Sequence, residues 1–88
     1  MSNTLSKTLN DTGAIREVLA QHGRLSCDVH MLDEDGDLYQ AGLTSLATVG
    51  IMLALEERFD VEFPESKLSR VTFRSISTIA ETIAELAG

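Results

Sequence analysis

Ser45-Leu46-Ala47-Thr48-Val49-Gly50-Ile51-Met52-Leu53-Ala54-Leu55-Glu56-Glu57-Arg58-Phe59 reads as one helix with two apolar stripes. Ile51, Leu55 and Phe59, with Thr48 and Met52 beside them, follow the i, i+4, i+8 spacing of a face turned to a core. Leu46, Val49 and Leu53 follow i, i+3, i+7 on a different face. Each helix of a small bundle normally keeps one wet face. The second stripe, which ends at Glu56 and Glu57, therefore predicts a docking surface. Gly50 interrupts the middle of the helix at a cost of about 1 kcal/mol relative to alanine. Its position near the second stripe suits close approach by a partner, with neutral drift as the alternative reading.

Upstream, Gly42-Leu43-Thr44 leads into this helix and sets Ser45 at its mouth. Unpaired backbone N–H groups and the positive end of the helix dipole converge there. Such a location suits an anion, for example a phosphoester on the serine hydroxyl. It also leaves the serine open to a modifying enzyme.

The remaining elements follow from spacing and punctuation. Residues 1–10 are rich in Ser, Thr and Asn and are expected to form a flexible N-terminus, with a single domain over 11–88. Asp11 is placed to cap a first helix that runs to about His22, with Ile15, Val18 and Leu19 on one face and Gly23 as its stop. Arg24 to Gly42 sustains no period. It is expected to be a long ordered loop pinned by Leu25, Val29, Leu32, Leu38 and Tyr39. Phe63-Pro64 breaks the chain, Ser66 to Val71 is expected to make one short turn, and a last helix is expected from about Thr72. Ile76, Ile79, Ala80, Ile83 and Leu86 share one of its faces. The predicted fold is all-α, a four-helix bundle of three main helices plus one short helix.

Size and charge narrow the function. A chain of 88 residues folds alone but is too small to enclose a deep active site, so a non-enzyme is expected. Between Asp28 and Glu65 lie ten of the fourteen acidic residues against the single base Arg58, a local charge of −9, with +2 over the remainder. That surface disfavours nucleic acid and favours steering toward basic protein patches. With one cysteine, Cys27, and no leader or membrane span, the expected location is the cytoplasm. Cys27 is expected to be an inert, partly buried side chain.

Other chemistries fit poorly. Asp33-Glu34-Asp35-Gly36-Asp37 imitates a calcium loop, but the sixth position is Leu38 instead of glycine and the twelfth is Thr44 instead of glutamate. A nucleophile elbow around Ser45 would need glycines where Leu43 and Ala47 stand. His22 and His30 are the only candidate bases or imidazole ligands, and no spacing links either to Ser45. No metal is expected. Asp37 reads as a turn residue.

Two linked segments, Asp37-Leu38-Tyr39-Gln40-Ala41-Gly42-Leu43-Thr44-Ser45-Leu46 and Leu55-Glu56-Glu57-Arg58-Phe59-Asp60-Val61-Glu62-Phe63-Pro64, resemble the acyl carrier protein family. The match spans about Asp11 to Leu86. The resemblance implies a four-helix bundle with 4′-phosphopantetheine attached to Ser45 as its cofactor, and a monomer that performs no catalysis. It also implies docking through Thr44, Leu46, Val49, Gly50, Leu53, Glu56 and Glu57. The implied partners are a phosphopantetheinyl transferase, a loading ligase and a downstream transferase or synthase. Carriers of fatty acid synthesis have carboxylates where Thr44, Ala47 and Gly50 stand here. With Thr72-Phe73-Arg74-Ser75-Ile76, the chain looks most like the small stand-alone carriers charged with amino acids. For those, the implied cargo is a small amino acid such as glycine or alanine, held as a thioester and loaded by a ligase that resembles an aminoacyl-tRNA synthetase. The alternatives are an acyl carrier for a specialised lipid or secondary-metabolite pathway, and a cofactor-free helical interaction module in which Ser45 is only an N-cap.

Overall fold

The structure is a computed structural model that describes residues 3–87, with side chains described from Thr12 onward. It has three helices, α1 (Asn3–His22), α2 (Ser45–Phe59) and α3 (Ile76–Ala87), and two single 3₁₀ turns, Val29–Met31 and Glu65–Lys67. No strand occurs among the described residues. Helix α1 packs against both α2 and α3.

The core is built from the faces that the periodicity marks. Ile15, Val18 and Leu19 of α1, Ile51 and Leu55 of α2, and Ile76, Ile79 and Ile83 of α3 are all buried in one cluster. Phe59 closes its end of the α2 stripe only half-buried. Phe63 and Phe73 stack with ring centroids 5.7 Å apart and join the α2–α3 connection to this core. Offset aromatic pairs of this kind add about 0.5–1.5 kcal/mol beyond the area they bury.

The helix ends depart from expectation in two places. Helix α1 begins at Asn3 instead of at Asp11, because neither proline nor glycine intervenes before Thr12 to stop a helix already anchored by its buried turns. Of the N-terminus expected over 1–10, residues 1 and 2 lie outside the described residues. Helix α3 begins at Ile76 instead of near Thr72. Ser75 and Thr78 cap it reciprocally, each backbone N–H meeting the other's hydroxyl at 3.0 and 3.1 Å. Thr72 and Phe73 are drawn into the core ahead of the helix, and the Thr72 carbonyl accepts the Thr78 hydroxyl at 3.0 Å. The short turn between α2 and α3 is Glu65–Lys67, one residue earlier and briefer than the segment 66–71.

The loop from Arg24 to Thr44 is ordered by buried anchors and by polar ties. Val29 and Leu38 are buried, and Leu25, Leu32 and Tyr39 pack partly against the core. Arg16 reaches out of α1 to donate to the carbonyls of Val29 (2.6 Å) and Leu32 (3.0 Å). Across the molecule, the Leu38 N–H donates to the Arg74 carbonyl (2.7 Å), the Ser77 N–H to the Glu34 carbonyl (2.9 Å), and the Ser77 hydroxyl to Asp35 Oδ1 (2.8 Å). The acidic loop is thereby latched onto the start of α3. Asp37 turns the chain as expected, its Oδ1 accepting the Tyr39 N–H at 2.9 Å. Cys27 is exposed, a correction to the partly buried side chain expected, because Leu25 and Val29 on either side take the inward positions.

Candidate functional site

The approach to Ser45 is fixed from both sides of Gly42. Ser26 donates its N–H and its hydroxyl to the Ala41 carbonyl at 2.9 and 2.8 Å. Leu43 is buried, and its N–H meets the Leu38 carbonyl at 3.0 Å. Between them Gly42 has φ +111°, and a Cβ there would stand 3.4 Å from the Ser26 nitrogen. Only glycine takes that conformation without strain.

Thr44, not Ser45, caps α2. Its backbone is extended and its hydroxyl accepts the Ala47 N–H at 3.1 Å. Its carbonyl accepts the Thr48 N–H and hydroxyl at 3.0 and 2.8 Å. Ser45 is the first helical residue and is exposed. Its hydroxyl has no hydrogen-bond partner among the described residues. With Ala47 satisfied by the cap, the N–H groups of Ser45 and Leu46 are the first-turn donors left open. Derivatising Ser45 therefore breaks no internal bond. Chemically, the site is a free alcohol beside two unused donors at the positive end of a helix dipole.

Ser45 also opens onto a groove of about 310 Å³ between α2 and residues 68–73. Val49, Met52, Leu68 and Phe73 supply apolar lining, beside Tyr39, Arg70 and the hydroxyl residues Thr48 and Ser69. Such a concave, mainly apolar surface suits a flexible organic group tethered at its edge.

The second stripe of α2 lies outside, as its spacing predicts. Leu46, Val49 and Leu53 are 85%, 52% and 55% exposed, whereas Ile51 and Leu55 are fully buried. A Cβ on Gly50 would meet nothing within 4 Å, so no packing inside the molecule requires this glycine. The two glutamates at the end of the stripe separate. Glu57 is exposed, but Glu56 is half-buried and its Oε2 accepts the Phe63 N–H at 2.8 Å. Glu56 fixes the chain where it leaves α2, a role that its position on the stripe does not disclose. Glu57→Lys is accordingly expected to leave stability within about 0.5 kcal/mol, whereas Glu56→Lys should cost roughly 1–3 kcal/mol by orphaning a backbone donor. Thermal denaturation of the two variants measures the difference.

Sequence reasoning missed Arg16, whose role depends on a loop path that no periodicity describes. It also missed Arg70, which stacks on Tyr39 from a different segment of the chain. His22 and His30 are exposed, and no group of three or more His, Cys, Asp or Glu is placed to hold a metal ion among the described residues. No described helix is long and apolar enough to cross a membrane.

Residues 14–86 match the family described as phosphopantetheine attachment site. The chain is 48% identical over 69 residues to the aminoacyl carrier protein of Agrobacterium fabrum, an alignment that covers 78% of this chain and 83% of that protein. It is 40% identical over 57 residues to the D-alanyl carrier protein of Streptococcus sanguinis, covering 64% of this chain and 70% of that protein. Among solved structures, it superimposes with a TM-score of 0.82 at 44% identity on a carrier protein from Agrobacterium tumefaciens. That structure is of an engineered Bradyrhizobium japonicum glycine:[carrier protein] ligase complexed with the carrier protein and ATP, and the match covers 85% of this chain and 97% of that one.

Proposed function

We propose, from the premise that this chain belongs to the phosphopantetheine attachment site family, that it is a non-catalytic, cytoplasmic carrier holding a small amino acid on an arm attached to Ser45. The observation that carries this reading is the exposed Ser45 hydroxyl, which takes no part in capping α2 because Thr44 does. The bound group, 4′-phosphopantetheine, supplies a thiol that holds the cargo as a thioester. The chain's own residues do the rest. Thr44 fixes the first turn, and Ser45 and Leu46 present free N–H groups. The groove beside them offers the arm a surface.

Similarity to aminoacyl and D-alanyl carrier proteins supports an amino acid as cargo, and the glycine:[carrier protein] ligase complexed with the related carrier supports a small one such as glycine or alanine. A loading ligase of the kind complexed with the Agrobacterium tumefaciens carrier is the partner that fits. It docks on Leu46, Val49 and Leu53, with Thr44, Gly50 and Glu57 at the same surface and Glu56 holding the chain behind it, before a downstream transferase or synthase collects the cargo. The carrier acts as a monomer. A phosphopantetheinyl transferase installs the arm.

The test is to charge the modified protein with a glycine:[carrier protein] ligase, ATP and individual amino acids, followed by intact-mass measurement. A hydroxylamine-labile gain of one small aminoacyl group is expected. Charging by fatty acyl donors alone would overturn the aminoacyl reading.

Gly50 gives a second, independent check on docking, because the chain contains its own control. A Cβ on Gly13 in α1 would also meet nothing within 4 Å. Both Gly13→Ala and Gly50→Ala are expected to raise stability by about 0.5–1 kcal/mol. Only Gly50→Ala should raise the KM for loading. Equal KM values for the two variants would remove Gly50 from the docking surface.

A further inference from the structure

The groove beside Ser45 contrasts in charge with the chain around it. Residues 28–65 carry a local charge of −9, yet no carboxylate lines the groove and one cation, Arg70, does. The other described cations of the α2–α3 side are engaged with anions: Arg58 with Glu17 at 3.0 Å, Lys67 with Glu85 at 2.6 Å, and Arg74 with Asp37 at 3.9 Å. Arg16 is committed to two carbonyls. Arg24 lies beyond the C-terminal end of α1 and faces a different depression. Arg70 has no carboxylate or carbonyl partner among the described residues. Its guanidinium lies over the Tyr39 ring, 3.9 Å from the centroid.

That contact determines what the arginine has left to offer. Stacking on an aromatic ring uses the flat face of the guanidinium and leaves its N–H edge free. The N–H edge is the part that matches two oxygens of a phosphate in a bidentate bond. Because Tyr39 already orders the side chain, less conformational freedom is lost when an anion arrives. Ser45 lines the same groove.

We propose that Arg70, oriented by Tyr39, receives the phosphodiester that joins the arm to Ser45, so that the root of the arm is held at the groove. This rests on the function proposed above. Arg70 is a binding residue for the arm and Tyr39 is its positioning residue. The group recognised is a phosphate monoanion delivered by the chain's own modified serine.

The experiment compares apo and enzymatically modified protein, with modification verified by intact mass, using ¹⁵N spectra of the Arg70 Nε–H and the ³¹P resonance of the phosphodiester. Modification is expected to shift the Arg70 Nε–H. Arg70→Gln should move the ³¹P resonance to that of the same phosphodiester in the denatured modified chain, and Arg70→Lys should move it part of the way. Tyr39→Phe, which keeps the ring, should match the native protein, and Tyr39→Leu should resemble Arg70→Gln. A normal mass gain with an unmoved Arg70 Nε–H, and a ³¹P resonance indifferent to Arg70→Gln, overturns this assignment alone. Absence of the mass gain overturns the carrier reading and this assignment together.

Discussion

Ser45→Ala is expected to abolish phosphopantetheinylation completely while leaving the fold intact. Incubated with coenzyme A and a broad-specificity phosphopantetheinyl transferase, the native chain should gain the mass of one arm and the variant none. The expected stability change is within about 0.5 kcal/mol, because the hydroxyl has no internal partner and alanine is at least as good a helix former. Thr44→Ala provides the contrast. Loss of its hydroxyl removes the bond to the Ala47 N–H and should cost about 0.5–2 kcal/mol, yet the variant retains Ser45 and should still accept the arm. The two adjacent hydroxyls thus separate stability from modification. A cofactor-free interaction module would show the reverse for Ser45, with no mass gain in either protein and function retained in Ser45→Ala.

The largest stability effect is expected at Leu55. Its side chain is fully buried between the helices, and Leu55→Ala should cost roughly 2–5 kcal/mol through lost burial and the cavity left behind. Domains of this size have total stabilities of about 5–15 kcal/mol. Each kcal/mol moves the midpoint by about 4–8 °C. Calorimetry should therefore show a fall in Tm of about 10 °C or more. Leu53, two residues earlier, is 55% exposed. Leu53→Ala should change stability by less than about 1 kcal/mol, in keeping with the half of its surface that water already covers, and should raise the KM for loading several-fold. Equal destabilisation by the two variants would mean that the second stripe of α2 is core.

Helix α2 was legible in the sequence from end to end, because two stripes run from Ser45 to Phe59 and Phe63-Pro64 breaks the chain beyond them; its left-handed stop at Asp60, φ +55°, shows only in the structure. The loop anchors Val29 and Leu38 could also be read, as isolated apolar residues in an acidic segment must either bury or be exposed at a cost. Helix starts were harder, since serines, threonines and aspartates capable of capping are abundant in this chain. Thr72 and Ser75 are both competent caps, and the choice between them is made by Phe73 and Thr72 entering the core. At the site, Ser45 could be singled out, but whether it or Thr44 caps the helix depends on a hydroxyl's direction, which spacing does not encode. Glu56 and Arg70 were illegible for a related reason. Their partners, the Phe63 N–H and the Tyr39 ring, are reached only after the chain has turned.

The latch between the acidic loop and α3 sets an order of events during synthesis. Asp35 and Leu38 find their partners in Ser77 and Arg74, which leave the ribosome later than α1, the loop and α2. Closing so long a span costs entropy that local helix formation does not return. The bonds that hold the turn at Gly42, from Ser26 to the Ala41 carbonyl and from the Leu43 N–H to the Leu38 carbonyl, lie within residues 26–43, so the approach to Ser45 needs no contact from α3. The nascent chain therefore sets the turn before its serine first and fastens the acidic loop to α3 last.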